Sequence, residues 1–423
     1  MRLQQLSRAF LPLIGGRGIH CSRVLKRMDV PPPSSILNPL HHEEITLFGP
    51  GPTNTAPRVC HASSLQTFGI FNPPMVDLMK EVQEGLRYLF QTKNELTYAV
   101  NASGMAGMET ALTNLLEPKD RLMSLTNGCW GGIAAEVGER CGAIVTKLEH
   151  PPGVPFSSDE VEKALKEHKP HVLYVAQSES STGLLQPVEK LGSICHQNNC
   201  LLVVDTVASL GAAPFFMDRW EVDVVYSATQ KAISCQTGLA PISFSSRARE
   251  KIASRKTKVQ SYVFDVNKNM VQWGVDGVAK KYHHTYSSTL LLSLREALSM
   301  IAAEGLEQMW KRHSENTKRL CNGIEELGLE LFIKDPAYRL PTVTAICIPE
   351  GVESPGSLNA YCMEKHKVEF GAALPPLVGK VWRIGIMGYN STEWHTNKAL
   401  SVFKDGLLHI GYTPKAAKVK AEL

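Results

Sequence analysis

The stretch Leu201-Leu202-Val203-Val204-Asp205-Thr206-Val207-Ala208-Ser209 decides how this chain is read. Four apolar residues run without alternation, so the strand they predict must be covered on both faces, as in a parallel sheet between helix layers. The run stops on an aspartate followed by small and hydroxyl-bearing residues, the chemistry of a turn. Val222-Asp223-Val224-Val225 repeats the pattern and runs on to Ala228-Thr229-Gln230-Lys231.

Outward from these two runs, β-rich segments recur at 121–125, 143–148, 171–177 and 240–244. Helical patterns lie between them, at 106–116, 158–168 and 188–197. In the first, Met108, Ala111, Leu112 and Leu115 return at helical spacing until Pro118 ends the run. Ser157-Ser158 ahead of Asp159, Glu160 and Glu162 predicts a helix start, with acids at the positive end of the dipole. Such alternation predicts an α/β fold with a mostly parallel sheet. From about residue 305 the pattern changes. Helical stretches at 289–303 and 306–327 lead into an α+β region with strands at 342–348 and 381–386. The expected organisation is a large domain over 44–304 and a smaller C-terminal α+β domain over 305–414. An arm at 28–43, with Pro31-Pro32-Pro33, precedes them, and a tail at 415–423 follows.

The 423 residues are 43% apolar and 20% charged, which excludes a wholly disordered, collagenous or coiled-coil chain. No apolar run approaches the roughly 18–20 residues of a membrane helix. The formal charge of +4 is concentrated at one end. Residues 1–28 hold six basic residues and no acid, and the rest of the chain holds 39 basic against 41 acidic. The body therefore offers no electrostatic reason to bind nucleic acid. The acid-free, arginine-rich start predicts a mitochondrial presequence over 1–27. The final Ala421-Glu422-Leu423 keeps a weak likeness to a peroxisomal address, the alternative location. Ten cysteines at irregular spacing, without C-x-x-C, read as reduced thiols. The pairs His41-His42 and His283-His284 lack the i, i+4 spacing of a helical metal site, so no metal is assigned.

In an open α/β sheet, function gathers beyond the carboxyl ends of the strands. Those ends carry Asp205, Lys231, Glu179-Ser180-Ser181-Thr182-Gly183, and Asn101-Ala102-Ser103-Gly104-Met105 opening a helix. Each alone is an ordinary turn or cap. Together, a lysine and an aspartate on successive strand ends fit a pyridoxal phosphate site. The amine bonds the cofactor aldehyde, and the carboxylate keeps the ring nitrogen protonated so that the ring accepts electrons. A glycine-bearing helix start offers N–H groups to a phosphate.

The chain resembles the alanine–glyoxylate/serine–pyruvate aminotransferases, class V of the pyridoxal-phosphate-dependent aminotransferases. The resemblance runs from about residue 44 to 411. It includes Gly49-Pro50-Gly51-Pro52, Asn127-Gly128-Cys129-Trp130-Gly131, Asp205-Thr206-Val207-Ala208-Ser209-Leu210-Gly211, Gln230-Lys231, Tyr282-His283-His284-Thr285, Arg339-Leu340-Pro341-Thr342 and Arg383-Ile384-Gly385.

It implies an aspartate-aminotransferase-like fold (fold type I), pyridoxal 5'-phosphate, and a homodimer with shared active sites. By the same resemblance Lys231 is the Schiff-base lysine and Asp205 the partner of the ring nitrogen. Trp130 and Val207 cover the two ring faces, and Ser180 lies near the ring hydroxyl. Ser103, Gly104, Met105 and Gln230 hold the phosphate, joined by Tyr282 and Thr285 of the second subunit. Arg383 clamps the substrate carboxylate, and Gly51 lies near the substrate. Met105 stands where the family pattern has histidine, so a phosphate contact there falls to the backbone N–H.

With one basic clamp, the expected substrates are small, and the resemblance implies alanine or serine as donor and glyoxylate or pyruvate as acceptor. The rival readings are a kynurenine or 3-hydroxykynurenine transaminase, a cysteine desulfurase using Cys129 or Cys235, and a non-catalytic α/β binding protein. A nicotinamide dehydrogenase is disfavoured because no strand runs into G-x-G-x-x-G with a following acid.

Overall fold

The structure, a computed structural model, describes residues 30–412; the segments read as presequence and tail lie outside the described residues. The chain divides into two units, Met1–Glu44 and Ile45–Leu423. The described part of the first is exposed throughout and holds one 3₁₀ turn, Ser34–Ile36.

The second unit is built on a seven-stranded sheet. Its strands are β1 (Thr97–Val100), β2 (Arg121–Thr126), β3 (Ile144–Glu149), β4 (Val172–Ala176), β5 (Leu201–Asp205), β6 (Val224–Tyr226) and β7 (Ala240–Phe244). Their spatial order is β1-β7-β6-β5-β4-β2-β3. The sequence predicts all of these but β1, whose four residues are too few to establish a period. Every residue of β4, β5 and β6 is buried, the physical reason their sequences run apolar without alternation.

All neighbouring pairs are parallel except those made by β7, which runs antiparallel to both β6 and β1. A parallel partner for β6 would need a crossover, usually a helix. The connection from β6 to β7 contains no helix and simply turns back. Lys231 sits on that turn, and therefore at the same sheet edge as the carboxyl end of β5.

Helices pack against the sheet at the predicted places: Gly104–Leu115 on β6 and β7, Leu191–Gln197 on β5, and Ser158–His168 against Leu191–Gln197. Ser158–His168 begins with a capping box, in which Ser157 Oγ accepts from Glu160 N and the Glu160 carboxylate accepts from Ser157 N. Gly104–Leu115 lies unusually close to the sheet. A methyl at Gly104 would come within 2.9 Å of the Ala228 side chain, and one at Gly107 within 3.0 Å of the Tyr226 ring. The two glycines let this helix bring its N-terminus down to the sheet edge. The helix Cys129–Arg140 escapes the sequence reading because its glycine-rich first turn resembles a loop.

Further along, Ser288–Glu304 and Leu306–Glu326 are joined at Gly305, whose φ is 83°. The predicted C-terminal strands form as Val343–Cys347 antiparallel to Val381–Gly385. They belong to a second hydrophobic cluster with Leu320, Ile324, Trp382, Ile384 and Phe403. Phe48 enters this cluster from the strand Thr46–Phe48, which pairs in parallel with Val368–Phe370.

Candidate active site

Asp205 ends β5, the middle strand of the sheet. Register places Asp205 opposite Ala176 on β4 and opposite Tyr226 on β6. Side chains alternate along a strand, so Tyr174, two residues before Ala176, shares the face of Asp205 and Tyr226. The carboxylate is only 3% exposed. Its Oδ1 accepts from Val207 N at 2.7 Å. Its Oδ2 accepts from Tyr226 Oη at 2.6 Å and Tyr174 Oη at 3.1 Å. Burial raises the Asp205 pKa from its usual range, while the three donors and the positive charge of Lys231 oppose that rise.

Lys231 faces the same cavity. Its Nζ donates to Pro50 O. Burial lowers the amine to a pKa of about 8, the Arg383 charge adds to the lowering, and Asp205 opposes it. Gly51, at φ 115°, lies so close to Lys231 that a Cβ there would overlap the lysine chain and its Nζ. This explains the Gly-Pro-Gly-Pro turn: a side chain at position 51 would occupy the space of the reactive amine.

A third group enters from the C-terminal region. Arg383 is 5% exposed and joins none of the ion pairs among the described residues. Its Nε donates to Ala372 O at 2.9 Å, its Nη2 to the same oxygen at 2.5 Å, and its Nη1 to Ser180 O at 2.9 Å. Guanidinium carries five N–H donors. These bonds engage three and leave two on a fixed planar fork, suited to a carboxylate. Burial lowers its pKa to about 10, still far above neutrality, while Glu179 and Cys129 oppose the lowering.

Trp130 is held at both ends. Its indole Nε1 donates to Ser180 Oγ at 3.0 Å, and its backbone N to Glu179 Oε2 at 3.0 Å. Glu179, 1% exposed, also accepts from Ser181 N at 3.1 Å. Burial raises the Glu179 pKa while the hydrogen bonds from Ser181, Trp130 and Cys129 oppose the rise; the carboxyl group meets the N-terminus of Cys129–Arg140 and fixes the tryptophan backbone.

One cavity is lined by Ser103, Gly104, Met105, Trp130, Ser180, Asp205, Val207, Gln230 and Lys231, all singled out from the sequence as site residues, together with Met108, Ser178, Ala208 and Tyr226. Arg383 and Gly51 join through Ser180 and Lys231. Tyr282 and Thr285 do not line this cavity. Both are exposed, Tyr282 at 61%, and they approach each other at 3.4 Å between Oη and Oγ1. The Thr285 carbonyl accepts from Asn101 Nδ2 at 3.2 Å, just before the cavity's helix N-terminus.

The sequence reading missed Tyr226 and Tyr174, whose places follow from strand register, and the backbone oxygens of Pro50 and Ala372, which no residue pattern encodes. Cys129 and Cys235 do not suit a thiolate nucleophile. Burial, then Glu179, pushes the Cys129 thiol up, and burial pushes Cys235 up to about 12.

The residues fit a phosphorylated pyridine aldehyde. Ser103 makes no side-chain cap to its own helix, and the first N–H groups of a helix have no intrahelical acceptor. The Gln230 amide oxygen is buried without a partner, and an amide read end for end would present a donor instead. Phosphate answers that end, a protonated ring nitrogen answers Asp205, and an aldehyde carbon answers Lys231. Fold and site together define a fold-type-I pyridoxal-phosphate enzyme.

The family model Aminotransferase class-V matches residues 60–371. Alanine–glyoxylate aminotransferase of Drosophila melanogaster is 44% identical over 381 residues, 90% of this chain and 96% of that protein. The crystal structure of the alanine–glyoxylate aminotransferase from Nostoc sp. superposes with a TM-score of 0.85 at 40% identity, covering 88% of this chain and 97% of that one. The ureidoglycine–glyoxylate aminotransferase of Bacillus subtilis gives 0.86 at 32% identity, with 90% and 97% covered. This chain belongs to the class-V aminotransferase family.

The lowered amine pKa has a direct consequence. Competitive labelling of the apoprotein with a trace acylating reagent, followed by peptide mapping, should show the Lys231 peptide half-reactive near pH 8. Below that pH the amine is protonated and unreactive. Exposed lysines should reach half-reactivity only near their ordinary value of about 10.4. A Lys231 profile matching theirs would remove the burial argument.

Proposed function

We propose that this protein passes the amino group of a small amino acid, alanine or serine, to glyoxylate or pyruvate, converting glyoxylate to glycine. The carrying observation is that the Lys231 amine and the Asp205 carboxylate line one small cavity, with Arg383 bonded to Ser180 of its lining and near enough to lower the amine's pKa. The names of the relatives support the acceptor: the enzymes from Drosophila and Nostoc are named for alanine and that from Bacillus for ureidoglycine, and all three for glyoxylate. The donor rests on the single clamp, which takes one carboxylate and offers no second cation for a dicarboxylic side chain.

Pyridoxal 5'-phosphate, when bound, supplies an aldehyde that takes the amino group and a ring that withdraws electrons from the substrate's α-carbon. Ser103, Gly104, Met105 and Gln230 hold its phosphate, Asp205 its ring nitrogen, Trp130 and Val207 its two faces, and Ser180 its hydroxyl side. Arg383 fixes the substrate carboxylate, which sets the direction of the α-hydrogen. Lys231, whose enclosure lowers its pKa to about 8 and so gives it a larger uncharged fraction than an exposed lysine, would take the proton from the substrate's α-carbon as general base and return a proton as general acid. The keto acid leaves, the acceptor enters the same clamp, and Lys231 moves the proton back. Two half-reactions on one site produce ping-pong kinetics. Wild-type protein should give parallel double-reciprocal lines with alanine and glyoxylate. Lys231→Ala should lose turnover and the borohydride-trappable link to the cofactor, and retention of either would end the assignment.

The active unit is a homodimer. Exposure of Tyr282 suits a side chain that reaches the phosphate of a second copy. Sedimentation of the holoprotein should return twice the 46.6 kDa chain mass or close to it, less any removed presequence. A fully active single chain would refute the shared site.

Residues 1–27 direct the chain to mitochondria, supported by their basic, acid-free composition; the weaker alternative is a peroxisomal address in Ala421-Glu422-Leu423. A reporter carrying residues 1–27 should enter isolated mitochondria and be shortened there, and a reporter left outside would discard this address.

A further inference from the structure

Three oxygens meet behind the ring-nitrogen end of the cavity. Tyr226 Oη lies 2.6 Å and Tyr174 Oη 3.1 Å from Asp205 Oδ2, and the two hydroxyls lie 2.9 Å apart. All three side chains are buried, Tyr174 at 0% and Tyr226 at 1% exposure. Two hydroxyl protons must serve three oxygen–oxygen contacts. The shortest contact has the length of a charge-assisted bond, so Tyr226 donates to the carboxylate. The Tyr174 proton is divided between Oδ2 and the Tyr226 oxygen. Burial, with the charge of Asp205, pushes both phenols well above their usual range, so neither competes for the negative charge.

A carboxylate offers about four acceptor positions. Tyr226 and Tyr174 occupy both positions on Oδ2, and Val207 N occupies one on Oδ1. A single acceptor is left, on Oδ1. One vacant position on a fixed anion suits one N–H donor.

We propose that Tyr174 and Tyr226 are positioning residues that keep Asp205 ionised and oriented, so that its one free acceptor receives the ring N–H of the cofactor. This rests on the assignment of Asp205 to the ring nitrogen under the proposed function. Tyr226 borders the cavity and Tyr174 does not; the hydroxyls of both are directed at the carboxylate and act through it. Without them a buried carboxyl takes up a proton, and the ion pair with the ring becomes a neutral hydrogen bond, roughly half as strong.

The test compares Tyr174→Phe, Tyr226→Phe and the double variant, each losing a hydroxyl and no packing volume. Apoproteins are titrated with pyridoxal 5'-phosphate and with its 1-deaza analogue, which carries carbon in place of the ring nitrogen. Tyr226→Phe should bind the cofactor ~10-fold more weakly, Tyr174→Phe a few-fold more weakly, and the analogue should change less than about two-fold in either. In the vibrational spectrum of the apoprotein, the double variant should gain a protonated-carboxyl band near neutral pH that disappears on adding Asp205→Asn. Parallel weakening of both ligands would reduce the tyrosines to general packing and overturn the proposal, as would absence of the band. If the wild type itself binds both ligands equally, the role of Asp205 fails, and this proposal fails with it. The single variants keep the question answerable should the double variant not fold.

Discussion

A carboxyl group buried at the end of a central strand is the constraint around which this structure is arranged. Removing such a group from water costs several kcal/mol unless donors replace the lost hydration. Asp205 receives three, two from tyrosines on the flanking strands and one from its own chain two residues on. Those donors reach it only if β4, β5 and β6 keep a register that places positions 174, 205 and 226 on one face. The electronic requirement of the site thus becomes a requirement on strand pairing, and a one-residue slip would turn the tyrosines to the other face.

The lysine is delivered by a different device. Reversal of β7 lets the chain turn back directly after β6, so Lys231 rises from a turn at the sheet edge where Asp205 points. The turn at Gly49 to Pro52 then closes over it. Pro50 O accepts from the amine, and the missing side chain of Gly51 leaves room for the lysine stem. The low pKa follows from this enclosure together with the positive charge of Arg383.

The arginine of the site belongs to a third layer of organisation. Arg383 lies on a strand of the second hydrophobic cluster, yet it donates to Ser180, on the connection that follows β4. Ser180 in turn holds the Trp130 indole, while Glu179 fixes the tryptophan's backbone and the start of its helix. Trp130, Ser180, Glu179 and Arg383 are therefore joined by one continuous set of hydrogen bonds. Two carbonyl oxygens, of Ala372 and Ser180, set the orientation of the arginine in place of an acidic partner.

Much of this was legible beforehand, for identifiable reasons. Strands buried on both faces declare themselves as unbroken apolar runs, so β4, β5 and β6 and the residues at their ends could be read directly. Nine residues singled out from the strand ends, the helix start at 103–105 and the family resemblance line one cavity. The reversal of β7, the missed β1 and the glycine-rich helix Cys129–Arg140 carry no such pattern, since a short strand and a loop-like helix start look alike in one dimension. The sequence by itself determined which chemical groups stand at the ends of which strands, because burial dictates residue type along a strand. Only the tertiary structure decided that two distant tyrosines serve Asp205, that backbone oxygens aim Lys231 and Arg383, and that two guanidinium N–H groups stay free. Those are matters of register and of main-chain geometry, which residue identity does not encode.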